Sequence, residues 1–266
     1  MQLITSESNE LVKKLKRLNE SNRFCKREGL TIAEGLHLAK ELVSRKELIE
    51  AVVLREGAAA KEEVADILEA LRADSIKHYE FSSGIFNKIC PVEQSAGILC
   101  LIKIPDEPAV PKDSDWVYLD DVQDPGNVGT IARSALGSDV VNLAVSKNSA
   151  YPWSPKVLRA GMGAHFRMKI FTSLSLDTIK KSSAYLCLAA DARGGQSLFD
   201  AKWGDSSQKT IWVFGNEGQG VSEETLRLSD KRLIIPLNPV VESLNVAMAA
   251  TVCLFEQKRR RLAVTK

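Results

Sequence analysis

The second half of the chain alternates short, fully apolar runs with helix-length stretches, and this alternation constrains the fold more than any other feature. Residues 116–120 (WVYLD), 140–146 (VVNLAVS), 185–191 (YLCLAAD), 210–215 (TIWVFG) and 232–237 (RLIIPL) read as strands. They are short, bounded by turn residues and too continuously apolar to have one wet face. Residues 154–164 open with Ser154 before Pro155, an N-cap followed by proline at the first helical position. A long helix is expected over 243–261, with Ser243 as its cap and Asn245 in its first turn. The pattern predicts βαβ units and a mostly parallel, doubly covered, Rossmann-like sheet.

Upstream, residues 30–33 (LTIA), 51–54 (AVVL), 75–79 (SIKHY) and 97–104 (GILCLIKI) are strand candidates, with helices expected over 34–46 and 58–72. This predicts a separate layered α/β domain. Between the halves stand Pro105, Pro108 and Pro111, a density that no helix or interior strand tolerates. The expected organisation is a first domain over 1–104, a semi-rigid linker over 105–115 and a second domain over 116–266. A chain of 266 residues, 44% of them hydrophobic, can bury two cores without staples.

Charge and cysteine usage narrow the function classes. Lys plus Arg number 36 against 34 Asp plus Glu, a net charge of +2, which excludes a polybasic tail and an acidic solvating protein. No apolar run approaches the roughly 20 residues of a membrane span. The start, MQLITSESNELVKK, lacks the basic–apolar–small order of a secretory leader, so a cytoplasmic protein is expected. Cys25, Cys90, Cys100, Cys187 and Cys253 are scattered and form no C-x-x-C pair, which reads as buried thiols in a reducing compartment. His37, His78 and His165 are far apart in sequence, and no metal site is expected. One segment is locally basic. Leu11, Val12, Leu15 and Leu18 form a helical stripe opposite Lys13, Lys14, Lys16 and Arg17, and Arg23, Lys26 and Arg27 follow. This surface is either a solvated helix face or a contact for a phosphate backbone.

Three loops follow strands in the second half, where ligands of parallel sheets bind. The first, residues 120–133, carries Pro125-Gly126 and Asn127-x-Gly129, with a helix expected from Ile131 and Arg133 in its first turns. A cation there opposes the helix dipole, which points to an anionic ligand or to a plain solvated arginine. The second, residues 215–220 (GNEGQG), allows close backbone approach and holds Glu217 at the sheet edge. It is neither a G-x-G-x-x-G fingerprint nor a phosphate loop. The third runs from Ile235-Pro236 to Ser243-Leu244-Asn245-Val246, followed by small residues suited to close packing.

Together and in this order, the three loops resemble the SpoU/TrmH branch of the SPOUT RNA methyltransferases. The resemblance includes residues 155–166 (PKVLRAGMGAHF) and spans nearly all of 116–261. Residues 23–43 and 93–103 resemble, more weakly, the L30e-like RNA substrate-binding domain of that family. The resemblance implies an S-adenosyl-L-methionine-dependent ribose 2′-O-methyltransferase acting on structured RNA, with ribosomal RNA favoured over transfer RNA. It implies a cofactor pocket at Gly215, Asn216, Gly220, Ile235, Leu237 and Leu244, without metal. It further implies a C-terminal trefoil knot, which periodicity itself does not reveal, and a homodimer through the second domain whose active site draws on both chains. Arg133 would act on the 2′-hydroxyl, either as a perturbed base or as a charged stabiliser of the alkoxide. Asn127, Glu217, Ser243 and Asn245 would position it, the ribose or the cofactor, and Lys13, Lys14, Arg17, Arg23 and Arg27 would hold RNA. Other readings on the same fold are a non-catalytic RNA-binding protein and a base methyltransferase; Ser243-Leu244-Asn245 belongs with ribose methylation. Leu136 and Asp139 depart from the family pattern, which has aspartate and glycine there.

Overall fold

The apolar stripe near the start of the chain folds as expected. Val12, Leu15 and Leu18 are buried on α1 (Glu10–Glu20), while Leu11 sits at the margin. Ser21 then breaks the helix, because its Oγ accepts from Phe24 N and caps a second helix, α2 (Asn22–Glu28). The computed structural model describes residues 3–72, 76–90, 96–203 and 208–264.

The first unit comprises Met1–Asp106 together with Trp153–Phe166. Its sheet holds β1 (Leu3–Ile4), β2 (Leu30–Glu34), β3 (Ile49–Arg55), β4 (Lys77–Phe81) and β5 (Ile98–Lys103), in the order β1-β4-β3-β5-β2. β5 runs antiparallel to both β2 and β3, and the other pairs are parallel. Ser75 of the expected 75–79 strand lies outside the described residues, as do residues 93–95 of the stretch that resembles the family. The helices α3 (Leu36–Leu42), α4 (Glu62–Ala70) and α5 (Ser83–Ile89) complete the layers. Both helices expected here are shorter than the sequence suggests. Arg45 leaves helical geometry at φ −134 within the 3₁₀ stretch Val43–Leu48, and Ala58–Ala60 form a 3₁₀ turn before α4.

The second unit comprises Glu107–Pro152 and Arg167–Lys266. Its sheet holds β6 (Trp116–Asp120), β7 (Asn142–Val145), β8 (Lys169–Phe171), β9 (Leu186–Ala190), β10 (Gln196–Ser197), β11 (Thr210–Gly215) and β12 (Lys231–Ile234). All pairs are parallel, in the order β10-β12-β9-β11-β6-β7-β8. β6, β7 and β11 are buried along their whole length, as strands covered on both faces must be. β12 ends at Ile234, short of the expected 232–237 run, because the residue before Pro236 is steered away from continued regular pairing and the proline has no N–H to offer. Helices α6 (Pro125–Gly137), α8 (Leu176–Ser182) and α9 (Glu223–Leu228) connect the strands, α10 (Val246–Val264) follows the last of them, and α7 (Pro155–Gly161) lies in the segment that packs with the first unit. That segment is held there by Thr31 Oγ1 donating to Trp153 O at 2.6 Å and by an Arg159–Glu34 ion pair at 2.6 Å.

Gln257 and Arg261 help to fasten α10. Gln257 is 2% exposed, and its Oε1 accepts from Trp212 Nε1 and Thr210 Oγ1, each at 2.7 Å. Arg261 grips Asp115 through Nη2 at 2.9 Å and Nη1 at 2.5 Å. The proline-rich stretch is also docked on the second unit: Glu107 accepts from Thr172 N and Oγ1 at 2.7 Å, and Pro111 O accepts from Tyr185 Oη at 3.0 Å. Asp139, one of the departures, adopts left-handed φ 68, where glycine is the easiest fit, and Lys258 pairs with it at 3.0 Å. Burial pushes the Asp115 carboxyl up, but hydrogen bonds from Arg261 and Thr210 outweigh it and hold the group low. Removing one partner of such a buried pair is costly. Arg261→Met is expected to lower unfolding free energy by about 3 kcal/mol, and Asp115→Asn combined with it by less than the sum of the two single changes. Urea midpoints of the three variants measure both.

Candidate active site

The site is built where β6, β9 and β11 end side by side. Asp120, at the end of β6, pairs in register with Gly215 at the end of β11. Its buried carboxylate accepts from Ser222 N at 2.8 Å, which holds the far side of the glycine loop. The chain turns at Asp121 with φ 60 and reaches Asp124, whose Oδ1 accepts from Asn127 N at 2.8 Å. Asp124 therefore caps α6, and Pro125 occupies its first position. The helix begins six residues earlier than the expected Ile131 start. Arg133 consequently stands about two turns inside α6 rather than at its positive end, and the dipole argument for it falls away.

The glycine loop is shaped by its own residues. A Cβ on Gly215 would lie 2.2 Å from Gly220 C and from Val221 N, so only glycine lets the loop fold back this closely. Asn216 and Gly220 exchange backbone hydrogen bonds at 2.9 Å. The Asn216 side chain is spent on the same turn: Oδ1 accepts from Gly218 N at 2.9 Å and Gln219 N at 3.0 Å, and Nδ2 donates to Asp121 O at 2.9 Å.

The third loop is tied to the other two by a chain of side-chain hydrogen bonds. Glu217 Oε1 accepts from Asn127 Nδ2 at 2.9 Å and from Asp124 N at 3.0 Å, while Oε2 accepts from Gln123 N at 3.2 Å. The carboxylate forces Asn127 to present its Nδ2, so its Oδ1 is left to accept from Asn245 Nδ2 at 3.0 Å. Asn245 Oδ1 in turn accepts from Ala247 N at 2.9 Å and Met248 N at 3.3 Å. Asn245, and not Ser243, is thus the cap of α10, and Ser243 lies in the exposed loop before it. Burial pushes the Glu217 carboxyl up, but the Asn127 hydrogen bond and the backbone donors outweigh it and hold the group below its ordinary 4.5.

The end of β9, the glycine loop and the third loop line an open cavity of about 550 Å³, a size typical of small-ligand sites. Gly215, Asn216, Gly220, Ile235, Leu237 and Leu244 all line it, as do Glu217, Ser243 and Asn245. Asn127 stands behind Glu217 and Asn245. Arg133 does not line the cavity; it is exposed and makes no hydrogen bond or ion pair among the described residues. Sequence reasoning missed Asp191 and Arg193, which line the cavity from the end of β9. An aspartate closing an apolar strand was the available signal.

In the first unit, Lys13, Arg17, Arg23 and Arg27 are exposed on α1 and α2, and Lys14 is half-buried. Glu10 and Glu28 at the flanks pair with Lys13 at 2.7 Å and Arg27 at 2.8 Å. The Arg17 and Arg27 guanidiniums lie 4.1 and 4.8 Å from the Phe24 ring centre. All five cysteines are free and buried, and burial pushes the Cys25 and Cys187 thiols up to about 11, so neither is poised as a nucleophile. Among the described residues no cluster of three His, Cys, Asp or Glu side chains could hold a metal ion, and no helix is long and apolar enough to cross a membrane.

Residues 116–255, which carry all three loops, match the SpoU rRNA Methylase family. The chain belongs to that family. Residues 9–100 match an MRM3-like substrate binding domain. Human mitochondrial rRNA methyltransferase 3 is 36% identical over 191 residues, a match covering 53% of this chain and 46% of the human protein, so the chain spans about half the length of that relative. A TrmH-family protein from Porphyromonas gingivalis is similar over 95% of this chain and 98% of its own, at 30% identity and a TM-score of 0.80. The SpoU methyltransferase AviRb from Streptomyces viridochromogenes, solved with AdoMet, shares the fold at 21% identity and a TM-score of 0.84 over 96% of this chain and 99% of its own.

Because its folded-state pKa is depressed, Glu217 contributes stability that is fully present above 4.5 and lost as pH falls through the lower folded value. Glu217→Gln is expected to flatten the acid limb of unfolding free energy against pH below about 4.5 and to leave the neutral limb parallel to wild type. Chemical denaturation across pH 3–7 measures this.

Proposed function

We propose that the protein is an S-adenosyl-L-methionine-dependent methyltransferase that methylates a ribose 2′-hydroxyl in structured RNA, ribosomal RNA in preference to transfer RNA. The observation that carries this reading is the hydrogen-bonded chain Glu217–Asn127–Asn245, which joins the three family loops beside one cavity. Family membership and the names borne by the relatives support the RNA substrate.

The residues present fit the cofactor. Phe214, Leu233, Ile235, Leu237 and Leu244 supply apolar wall for an adenine, and the glycine loop exposes backbone for its polar edges. When bound, the cofactor supplies a methyl group on a sulfonium, a leaving group that requires no metal assistance. The protein must orient the 2′-oxygen in line with that methyl and stabilise the oxygen as its proton leaves. Asn127, Glu217 and Asn245 hold the loops that frame the cavity, and Ser243 stands in the exposed loop where an RNA strand can reach it.

Arg133 is the proposed group that meets the 2′-oxygen, staying charged and stabilising the developing alkoxide. Its distance from its own chain's cavity lining is reconciled by a homodimer in which α6 serves the partner's site. Met248 and Phe255 on α10, 64% and 45% exposed, support such an interface. The buried free cysteines support a reducing compartment such as the cytosol.

Arg133→Ala is expected to lower kcat at least about a hundredfold with S-adenosylhomocysteine affinity unchanged. Gly215→Val should abolish cofactor binding through the backbone clash. Mixing the two inactive variants should restore partial activity, because one site of the mixed dimer has both parts intact; no recovery after subunit exchange would exclude the shared site. Arg133→Lys separates the two roles: a new alkaline limb in its pH–rate profile would identify a base.

The exposed cations of α1 and α2 are the proposed RNA contact. Charge reversal at Lys13, Lys14, Arg17 and Arg27 is expected to weaken RNA binding and lower the salt slope by roughly 0.7–0.9 for each phosphate no longer neutralised. Filter binding at several salt concentrations measures it, and an unchanged slope returns the segment to an ordinary solvated face.

A further inference from the structure

Arg193 is the one basic side chain among the described residues lining the cavity, and its guanidinium is oriented by the protein itself. Its backbone N and Nε each donate to Asp191 Oδ1 at 3.0 Å. Nη2 donates to Asp191 Oδ2 at 3.1 Å and to Val221 O at 2.5 Å. Nη1 is left with no described partner. The group packs along the glycine loop: a Cβ on Gly220 would lie 3.5 Å from the Arg193 Cζ.

Its charged neighbours are Asp191, Arg232 and, at longer range, Glu223. The Asp191 side chain is 1% exposed and also accepts from Arg232 Nη2 at 2.9 Å, so one carboxylate faces two guanidiniums. Arg232 does not line the cavity, so the cation presented there is Arg193. The other acids of the lining are Glu217, whose oxygens are occupied by the α6 entry, and Glu242 in the exposed third loop. Both repel an anion. Among the described side chains of the lining, Arg193 is therefore the only cationic partner for an anionic group entering the cavity, and its unspent Nη1 can donate to one carboxylate oxygen.

We propose that Arg193 receives the α-carboxylate of the methionine portion of the cofactor and so makes binding depend on an intact amino-acid tail. The proposal rests on the cofactor reading above. Arg193 is a specificity-determining residue in this scheme, and Asp191 positions it.

The test compares two ligands by calorimetry: S-adenosylhomocysteine, which carries the carboxylate, and 5′-methylthioadenosine, which keeps the adenosine and the sulfur and lacks the amino-acid tail. Arg193→Gln is expected to weaken S-adenosylhomocysteine roughly ten- to a hundredfold while changing 5′-methylthioadenosine less than about threefold. Arg193→Lys should fall between wild type and Arg193→Gln, and it remains informative if the glutamine variant folds poorly. Arg232→Gln removes the other partner of Asp191 and should leave the ratio of the two affinities at the wild-type value. Equal loss of both ligands in Arg193→Gln would overturn the proposal and make Arg193 a brace for the cavity wall. Undiminished S-adenosylhomocysteine binding with weakened RNA binding would overturn it in favour of a phosphate contact. If wild-type protein binds neither ligand, the cofactor reading itself fails, and that result is distinguishable from both.

Discussion

The site depends on one carboxylate. Glu217 projects from the turn after β11 and collects donors from Asn127, Gln123 and Asp124, all at the entry to α6. Without those donors, burial would raise the group and the two loops would have no reason to meet. With them, the orientation of Asn127 is dictated, and through it the contact with Asn245 at the start of α10. Elements more than a hundred residues apart in the chain are registered by this sequence of donors and acceptors.

The parallel sheet makes such registration possible. β11 sits between β9 and β6, so the loops that follow all three open on one edge. A glycine at the end of β11 brings the returning backbone within a distance that no other residue permits. Asp120 and Asp191 then hold that edge from below, one through Ser222 N and the other through Arg193.

The periodicity of the second half made β6, β9 and β11 legible, because strands buried on both faces leave unbroken apolar runs. The three loops were legible as a set through their residue types and order. What escaped were contacts that depend on pairing across the fold. Ser154-Pro155 announces a helix start, and Asp124-Pro125 carries the same signature, yet the glycines after it obscured α6 and misplaced Arg133. Ser243 looked like the cap of α10 by residue type, but Asn245 holds that place because Asn127 orients its amide. Arg193 had no local mark at all; its role in the cavity wall arises from Asp191 and from Val221, which belongs to a different loop.

The course of the backbone carries a further consequence. Residues 1–106 build the first unit, the chain leaves it, and Trp153–Phe166 return to it before the second unit is finished. The proline-rich stretch is likewise fastened to the second unit by Glu107 and Pro111. A break in the backbone near residue 106 therefore does not yield two independent pieces: the fragment carrying the cavity would keep residues 153–166 stripped of their first-unit partners, Thr31 for Trp153 and Glu34 for Arg159. In genetic terms the units are not interchangeable cassettes, and recombination can replace the first only by rewriting residues 153–166 along with it.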